Sequence, residues 1–140
     1  MTMEAQDVLD VLTVLAEAGV SPTLEGGWGV EALLGAQHRD HADVDLVIDL
    51  RDVKPAVEAL AEVGFDVVEH EGVSTVRLGD NYDRVIDLRS VASDVHGNAW
   101  VATRDPGDGP PDIPAECFTY GWVAGRQVPC LSPEVQAALH

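Results

Sequence analysis

The sequence contains very little positive charge. Its 140 residues include 8 lysines and arginines, of which Lys54 is the single lysine, against 25 aspartates and glutamates, and the formal net charge is −17. A protein that grips nucleic acid through its phosphates needs a basic stripe, so we expect no nucleic-acid partner. Acidity favours a divalent cation or a cationic small molecule. Solubility or a salt-rich habitat explains the total charge equally well, so the functional interpretation depends on particular acids.

Cysteines and long apolar runs are also scarce. Cys117 and Cys130 have no CxxC spacing and predict reduced thiols in a cytoplasmic protein, not a disulfide or a zinc site. Four histidines without metal-ligand spacing are expected on the surface: His38, His70, His96 and His140. No apolar run approaches the roughly 18 residues of a membrane span, so no membrane association is expected. The N-terminus lacks a signal-peptide pattern, and the length suits one domain over residues 1–140 without a separate C-terminal helical domain.

The order of the patterns along the chain predicts an α+β fold, with a central mixed β-sheet flanked by helices. Helical apolar spacing predicts four helices, over residues 4–19, 28–35, 51–64 and 132–140. Alternating patterns predict strands over residues 21–27, 43–50, 65–70, 74–79 and 84–90, and a further hairpin over 117–130. The last two of those five strands are expected to pair as a hairpin. Four prolines and two glycines predict a surface loop over residues 104–114.

Three aspartates form the candidate catalytic and metal site. Residues i and i+2 of a strand point to one face, so Asp43 and Asp45 project together, and two buried anions so close repel each other. A hard divalent cation such as Mg²⁺ would relieve that repulsion. Asp87, alone in an apolar strand centre, joins them if its strand lies beside theirs. Taken alone, Asp87 is as well explained by a salt bridge to Arg84 or Arg89.

A glycine pair supplies a second element of the site. Gly26 and Gly27 lie between a short strand and a short helix, where the backbone approaches a ligand closely and the helix N-terminus offers free N–H groups to a phosphate. A glycine pair alone is a weak signal, because turns use it constantly. Its position about 16 residues before a D-x-D strand makes a nucleotide site a much stronger hypothesis.

These motifs resemble a known family. The stretches EGGWGVEALLG from Glu25, RDHADVDL from Arg39 and VIDLR from Val85 are similar to the nucleotidyltransferases that adenylylate lincosamide and aminoglycoside antibiotics. That family belongs to the DNA polymerase β-like superfamily, and the resemblance implies a minimal nucleotidyltransferase fold. Position 25 is glutamate where the family often has aspartate, which keeps the charge.

The resemblance also implies roles for individual residues. Asp43 and Asp45 would hold two Mg²⁺ ions, and Asp87 would complete the metal site and act as general base. The nucleotide, ATP or another NTP, would be bound by Gly26, Gly27, Trp28 and Arg39. For Trp28, however, packing of the short helix is a better explanation than stacking on a base.

The implied reaction is attack of a hydroxyl of a small antibiotic-like molecule on the α-phosphorus of ATP, with release of pyrophosphate. Two alternatives remain: adenylylation of a protein partner of the toxin–antitoxin type, and a catalytically silent nucleotide-binding module. The sequence does not define the acceptor site, since relatives often build it from later residues or from a second subunit. A homodimer is therefore considered.

Three residues near the site have other expected roles. His41 is expected to be a hydrogen-bonding loop residue that orients the acidic strand. Glu25 and Glu31 are expected to be solvated, although Glu25 adjoins the glycines and could reach the acceptor.

Overall fold

The computed structural model describes residues 2–37 and 39–139. The helices in this part of the chain are α1 (Ala5–Glu17), α2 (Gly26–Leu34), α3 (Val53–Glu62) and α4 (Pro133–Leu139). The first four strands are β1 (Thr23–Glu25), β2 (Asp43–Asp49), β3 (Asp66–Glu71) and β4 (Thr75–Gly79). The remaining strands are β5 (Val85–Ser93), β6 (Ala99–Val101), β7 (Phe118–Val123) and β8 (Arg126–Leu131). Short 3-10 turns cover Leu50–Asp52 and Ala115–Cys117.

The strands form one mixed sheet. Their spatial order is β3-β4-β5-β2-β1-β8-β7, and β6 pairs with β5 outside this path. Two pairs are parallel, β2 with β5 and β1 with β8, and the others are antiparallel. The predicted α+β class with a central mixed sheet is confirmed. The hairpin expected between residues 74–79 and 84–90 is the antiparallel pair β4 and β5.

Two apolar clusters cover the two faces of the sheet. The larger cluster joins inward residues of β2 and β5, such as Leu46 and Ile86, to Leu15 of α1 and Leu60 of α3. A smaller cluster contains the following residues: Val47, Val91, Ala99, Ile113, Leu131 and Val135 of α4. Val47 points to the same face of β2 as Asp43 and Asp45, because the three residues are spaced two apart along the strand. This cluster therefore covers part of the face that carries the acids. The carboxylates lie beyond the end of this apolar layer.

Several predicted boundaries differ from the structure. Helix α2 begins at Gly26, two residues earlier than expected, so the glycine pair forms its first turn. Strand β5 continues to Ser93 because its far end pairs with β6. The sequence patterns did not predict strand β6, because it has only three extended residues. No helix among the described residues is long and apolar enough to cross a membrane.

Candidate active site

Three aspartates meet on one face of the sheet. The parallel register of β2 and β5 places Asp45 directly beside Asp87, and Asp43 lies two residues earlier on β2. One carboxylate oxygen from each residue lies within 4.8 Å of the other two. Oxygen ligands so close together, all from carboxylates, suit a hard divalent cation. The structure therefore brings together the three acids that were proposed as ligands, and their role as ligands stays a prediction.

The three carboxylates make the site electrostatically costly without a cation. The pKa of Asp45 rises from 3.8 to about 7, first because the group is partly buried and then because Asp43, Asp87 and Glu25 add negative charge around it. A hydrogen bond with Asp87 favours the protonated form further. A divalent cation bound there would remove the repulsion and displace the proton.

The glycine pair makes room for the acidic strand. Gly26 has a φ of +64°, and a Cβ at this position would collide with Oδ2 of Asp45. A Cβ on Gly27 would collide with the imidazole ring of His41. Both glycines are therefore required by close packing within the protein. Their contact with phosphates stays a prediction.

Glu31 organises the loop that leads into β2. Its Oε1 accepts a hydrogen bond from the backbone N–H of Arg39 at 3.1 Å and lies 3.2 Å from Nε2 of His41. Glu31 is 5% exposed, so the expectation that it is solvated was wrong. The sequence pattern missed this because the partners of Glu31 lie eight and ten residues away in a loop. His41 is a hydrogen-bonding residue, as expected, and its role in orienting the acidic strand stays a prediction.

Trp28 packs inside the protein. The side chain is 2% exposed, belongs to the larger apolar cluster and lies 5.5 Å from the ring of His41, measured between ring centroids. So little exposed surface leaves no ring face for a nucleobase. The structure therefore favours the packing interpretation of Trp28 over its assignment to the nucleotide site.

The ion-pair partner of Asp87 is Arg77. Arg77 lies on β4 directly opposite Asp87, and its guanidinium donates Nε to Oδ1 at 2.8 Å and Nη2 to Oδ2 at 3.3 Å. The expected partners are engaged elsewhere: Arg84 pairs with Asp7 and Asp80, and Arg89 pairs with Glu25. The sequence could not show Arg77 because the contact depends on the register of the hairpin.

Glu25 is buried beside Asp45. It is 1% exposed and lies opposite Asp45 in the antiparallel pair of β1 and β2. Its Oε2 accepts a hydrogen bond from Nε–H of Arg89 at 3.1 Å. The expectation that Glu25 is solvated was therefore wrong. The guanidinium of Arg89 is the ion-pair partner of this buried side chain.

Two clefts open on either side of the three aspartates. The glycine cleft, about 640 Å³ in volume, is lined by Gly26, Gly27, Arg39, Asp45 and apolar residues of α2 and α4. The acidic cleft, about 320 Å³, extends from Asp45 and Asp87 towards β3 and β4. Further carboxylates in its wall come from Glu69 and Glu71 of β3, which the sequence analysis did not single out. Strand β3 is exposed along its whole length, so its pattern carried no signal of a site.

The remaining titratable residues lie apart from this site or outside the described residues. His96 is exposed, as expected, and His70, also exposed, reaches the acidic cleft. His38 and His140 are outside the described residues. Both cysteines are free thiols, and burial raises the pKa of the Cys130 thiol. The described residues thus contain one group of three potential metal ligands, formed by the aspartates.

Comparison with known proteins identifies relatives along almost the whole chain. The family model for aminoglycoside-2''-adenylyltransferase matches residues 7–140. A lincosamide resistance protein of Staphylococcus haemolyticus is 24% identical over 135 residues, which cover 96% of this chain and 83% of that protein.

Solved structures agree with this relationship at the level of the fold. The crystal structure of the lincosamide antibiotic adenylyltransferase LnuA with lincomycin bound matches with a TM-score of 0.87 and 24% identity, covering 100% of this chain and 87% of that chain. The complex of ANT(2'')-Ia with adenylyl-2''-tobramycin matches with a TM-score of 0.71 and 22% identity, covering 91% and 68% of the two chains. A nucleotidyltransferase of Thermotoga maritima matches at 0.62 and 15% identity, over 96% and 80%. The predicted nucleotidyltransferase fold is confirmed.

Proposed function

Because the chain belongs to the aminoglycoside-2''-adenylyltransferase family, we propose that it transfers AMP from Mg-ATP to a hydroxyl group of a small antibiotic. The observation that carries the proposal is the convergence of Asp43, Asp45 and Asp87 on one face of the sheet. A structural ion-pair network would not need three carboxylates within 4.8 Å of one another. The 140 residues are proposed to act as one catalytic domain in the cytoplasm.

Asp43 and Asp45 are proposed to hold two Mg²⁺ ions, and Asp87 to complete one of the two sites. When bound, the ions would neutralise the triphosphate and make the acceptor hydroxyl more acidic. The carboxylates provide the ligand chemistry that Mg²⁺ prefers. In the metal-free chain, burial and the repulsion between these groups raise the pKa of Asp45.

The glycine cleft is proposed to bind the nucleotide. Gly26 and Gly27 form the first turn of α2, whose N-terminal N–H groups attract phosphate. Arg39 is exposed at the rim of the cleft, and its guanidinium suits a phosphate oxygen. Apolar side chains of α2 and α4, including Val30, Leu33 and Ala137, provide a wall for the nucleoside.

The acidic cleft is proposed to bind the acceptor. Glu69 and Glu71 line it on the far side of Asp87 from the glycines and would attract protonated amines. The relatives LnuA and ANT(2'')-Ia have structures with lincomycin and adenylyl-2''-tobramycin bound. An amine-bearing antibiotic of either kind fits this charge, and a second copy of the chain would complete the cleft if the enzyme is a homodimer.

In the proposed reaction, Asp87 takes the proton of the acceptor hydroxyl. The hydroxyl oxygen forms a bond to the α-phosphorus of ATP, and the bond from that phosphorus to the bridging oxygen of the β-phosphate breaks. The products are an AMP ester of the acceptor and pyrophosphate. Positioning and charge stabilisation contribute most of the rate enhancement.

The test is a panel of aminoglycosides and lincosamides incubated with Mg-ATP, read by pyrophosphate release and by the mass of the product. We expect an AMP adduct of at least one antibiotic with the wild type and none with Asp45→Asn. Asp10→Asn, on the exposed side of α1, is the matched control and should retain full turnover. Undiminished transfer by Asp45→Asn would refute the assignment of the aspartates. An adduct on a cellular protein but on none of the antibiotics would favour the protein-modifying alternative.

A further inference from the structure

Asp87 lies between an acid and a base on neighbouring strands. On one side, the parallel register of β2 and β5 places Asp45 beside it. On the other side, the antiparallel register of β4 and β5 places Arg77 opposite it. The Arg77 guanidinium contacts both carboxylate oxygens of Asp87, Oδ1 at 2.8 Å and Oδ2 at 3.3 Å.

One of these two oxygens is also the atom that Asp87 would offer to a divalent cation. Asp87 offers a carboxylate oxygen within 4.8 Å of oxygens from Asp43 and Asp45. A guanidinium that contacts both oxygens supplies positive charge without the ion. The Arg77 pair thus places one positive charge beside the three carboxyl groups before a cation is bound.

Because Arg77 contacts both oxygens of Asp87, a cation can replace one contact while the other still orients the carboxylate. The side chain of Arg77 is 48% exposed, whereas that of Asp87 is 25% exposed. It also lines the acidic cleft. The ion pair is therefore a contact that solvent can replace, and packing does not lock it.

We propose that Arg77 is a positioning residue of the transfer reaction, which orients the Asp87 carboxylate and competes with the divalent cation for its oxygens. This inference rests on the proposed metal-dependent activity. The affinity for the cation would then depend on competition between the ion and the Arg77 guanidinium for the oxygens of Asp87. Removal of the guanidinium should then have two opposite effects: tighter binding of the cation and slower proton transfer to a less well-oriented Asp87.

The first experiment titrates Mn²⁺ alone, as a stand-in for Mg²⁺, into the wild type, Arg77→Gln and Arg51→Gln by calorimetry. Arg51 is 84% exposed and pairs with Asp49, at the other end of β2 from Asp43. Its variant therefore loses the same formal charge away from the three-aspartate site. All titrations are run in the same buffer at one pH, so that only the substituted side chain differs between the proteins. We expect Arg77→Gln to bind Mn²⁺ roughly three- to tenfold more tightly than the wild type. Arg51→Gln should stay within about twofold.

The conservative variant Arg77→Lys separates charge from fold. It keeps the positive charge opposite Asp87 and should bind Mn²⁺ within about twofold of the wild type. Arg77→Gln should also lower kcat by roughly tenfold while KM for ATP changes little, since the nucleotide lies in the other cleft. Tighter metal binding together with slower turnover is a combination that a damaged fold does not produce.

Equal or weaker Mn²⁺ binding by Arg77→Gln, with normal binding by the wild type, would overturn the inference and leave the proposed function intact. If Arg51→Gln tightened binding as much as Arg77→Gln, the effect would be one of overall charge, and the inference would again fail. Absence of Mn²⁺ binding by the wild type and every variant would overturn the metal site and this inference with it.

Discussion

Asp45 on β2 and Asp87 on β5 are direct neighbours across the parallel pair, and a carboxylate oxygen of one lies within 4.8 Å of a carboxylate oxygen of the other. Partial burial and the negative charges of Asp43, Asp87 and Glu25 raise the pKa of Asp45 to about 7. The site therefore holds a proton up to neutral pH when no cation is present. Asp45 cannot bind a proton and a metal ion at the same time. Proton binding and metal binding at the site can therefore be measured without knowledge of the substrate.

The stability of the metal-free protein should fall towards neutral pH because of Asp45. The group has a pKa of 3.8 in its reference state and about 7 in the fold, so the folded state binds the proton more tightly. The resulting stabilisation is fully present below pH 3.8 and is lost as the pH rises through about 7. Because the carboxyl group is partly exposed, we expect a loss of about 1 kcal/mol, or roughly 2–4 °C in Tm. Calorimetry in a chelator, from about pH 5 to about pH 8, measures this change.

Asp45→Asn provides the reference for that measurement. Its amide does not titrate, so the Tm of the variant minus that of the wild type should grow towards pH 7 and then level off. Saturating Mg²⁺ should raise the Tm of the wild type above neutral pH and reduce the difference. Parallel pH profiles for the two proteins in chelator would contradict the raised pKa of Asp45.

The aspartate site could be anticipated from the sequence because it depends on alternation along single strands. Asp43 and Asp45 share a face by parity, and Asp87 stands alone in an apolar strand. Their convergence required one further assumption, that the two strands are neighbours, which the parallel pairing of β2 and β5 satisfies. The resemblance of the 25–45 stretch to a known family supplied the reason to make that assumption.

The surroundings of the aspartates could not be anticipated in the same way. The contact between Arg77 and Asp87 depends on the register of a hairpin, and one residue of slippage would place Arg77 on the other face. Glu25 and Glu31 are buried because Arg89 and the loop around His41 supply their partners. Charged residues in a short polar motif suggest solvent exposure, and tertiary partners reversed that expectation.

Gly26→Ala should disrupt the site more than its backbone conformation alone predicts. Gly26 has a φ of +64°, and a Cβ would in addition collide with Oδ2 of Asp45. We expect a loss of about 2–3 kcal/mol in the free energy of unfolding, measured by urea denaturation, and loss of Mn²⁺ binding by calorimetry.

Gly72→Ala is the matched control for this change. Gly72 also has a positive φ, +55°, but nothing lies within 4 Å of a Cβ there. The control should lose only the backbone cost of about 1–2 kcal/mol and should bind Mn²⁺ normally. Equal losses and normal metal binding in both variants would show that the contact with Asp45 is unimportant.

Glu25→Gln should destabilise the fold and also lower the pKa of Asp45. The change breaks the pair with Arg89 at a position that is 1% exposed, at a cost of about 2–4 kcal/mol in the free energy of unfolding. It removes one of the negative charges that raise the pKa of Asp45. Urea denaturation of Glu25→Gln, Arg89→Gln and the double variant gives the coupling between the two side chains. Additive losses in this cycle would mean that the buried pair has no net interaction.

Glu69→Gln and Glu71→Gln should weaken binding of the acceptor without slowing the transfer step. Both carboxylates line the acidic cleft on the exposed strand β3, whereas the nucleotide is assigned to the glycine cleft. Loss of one exposed carboxylate should raise KM for an amine-bearing antibiotic by roughly three- to tenfold, with kcat and KM for ATP within about twofold. An acceptor with several amines should lose more affinity than an acceptor with one, and high salt should reduce the effect for both. Glu58→Gln, on the exposed side of α3, removes the same charge away from the cleft and should leave KM unchanged. A rise in KM for ATP in place of the antibiotic would reverse the assignment of the two clefts.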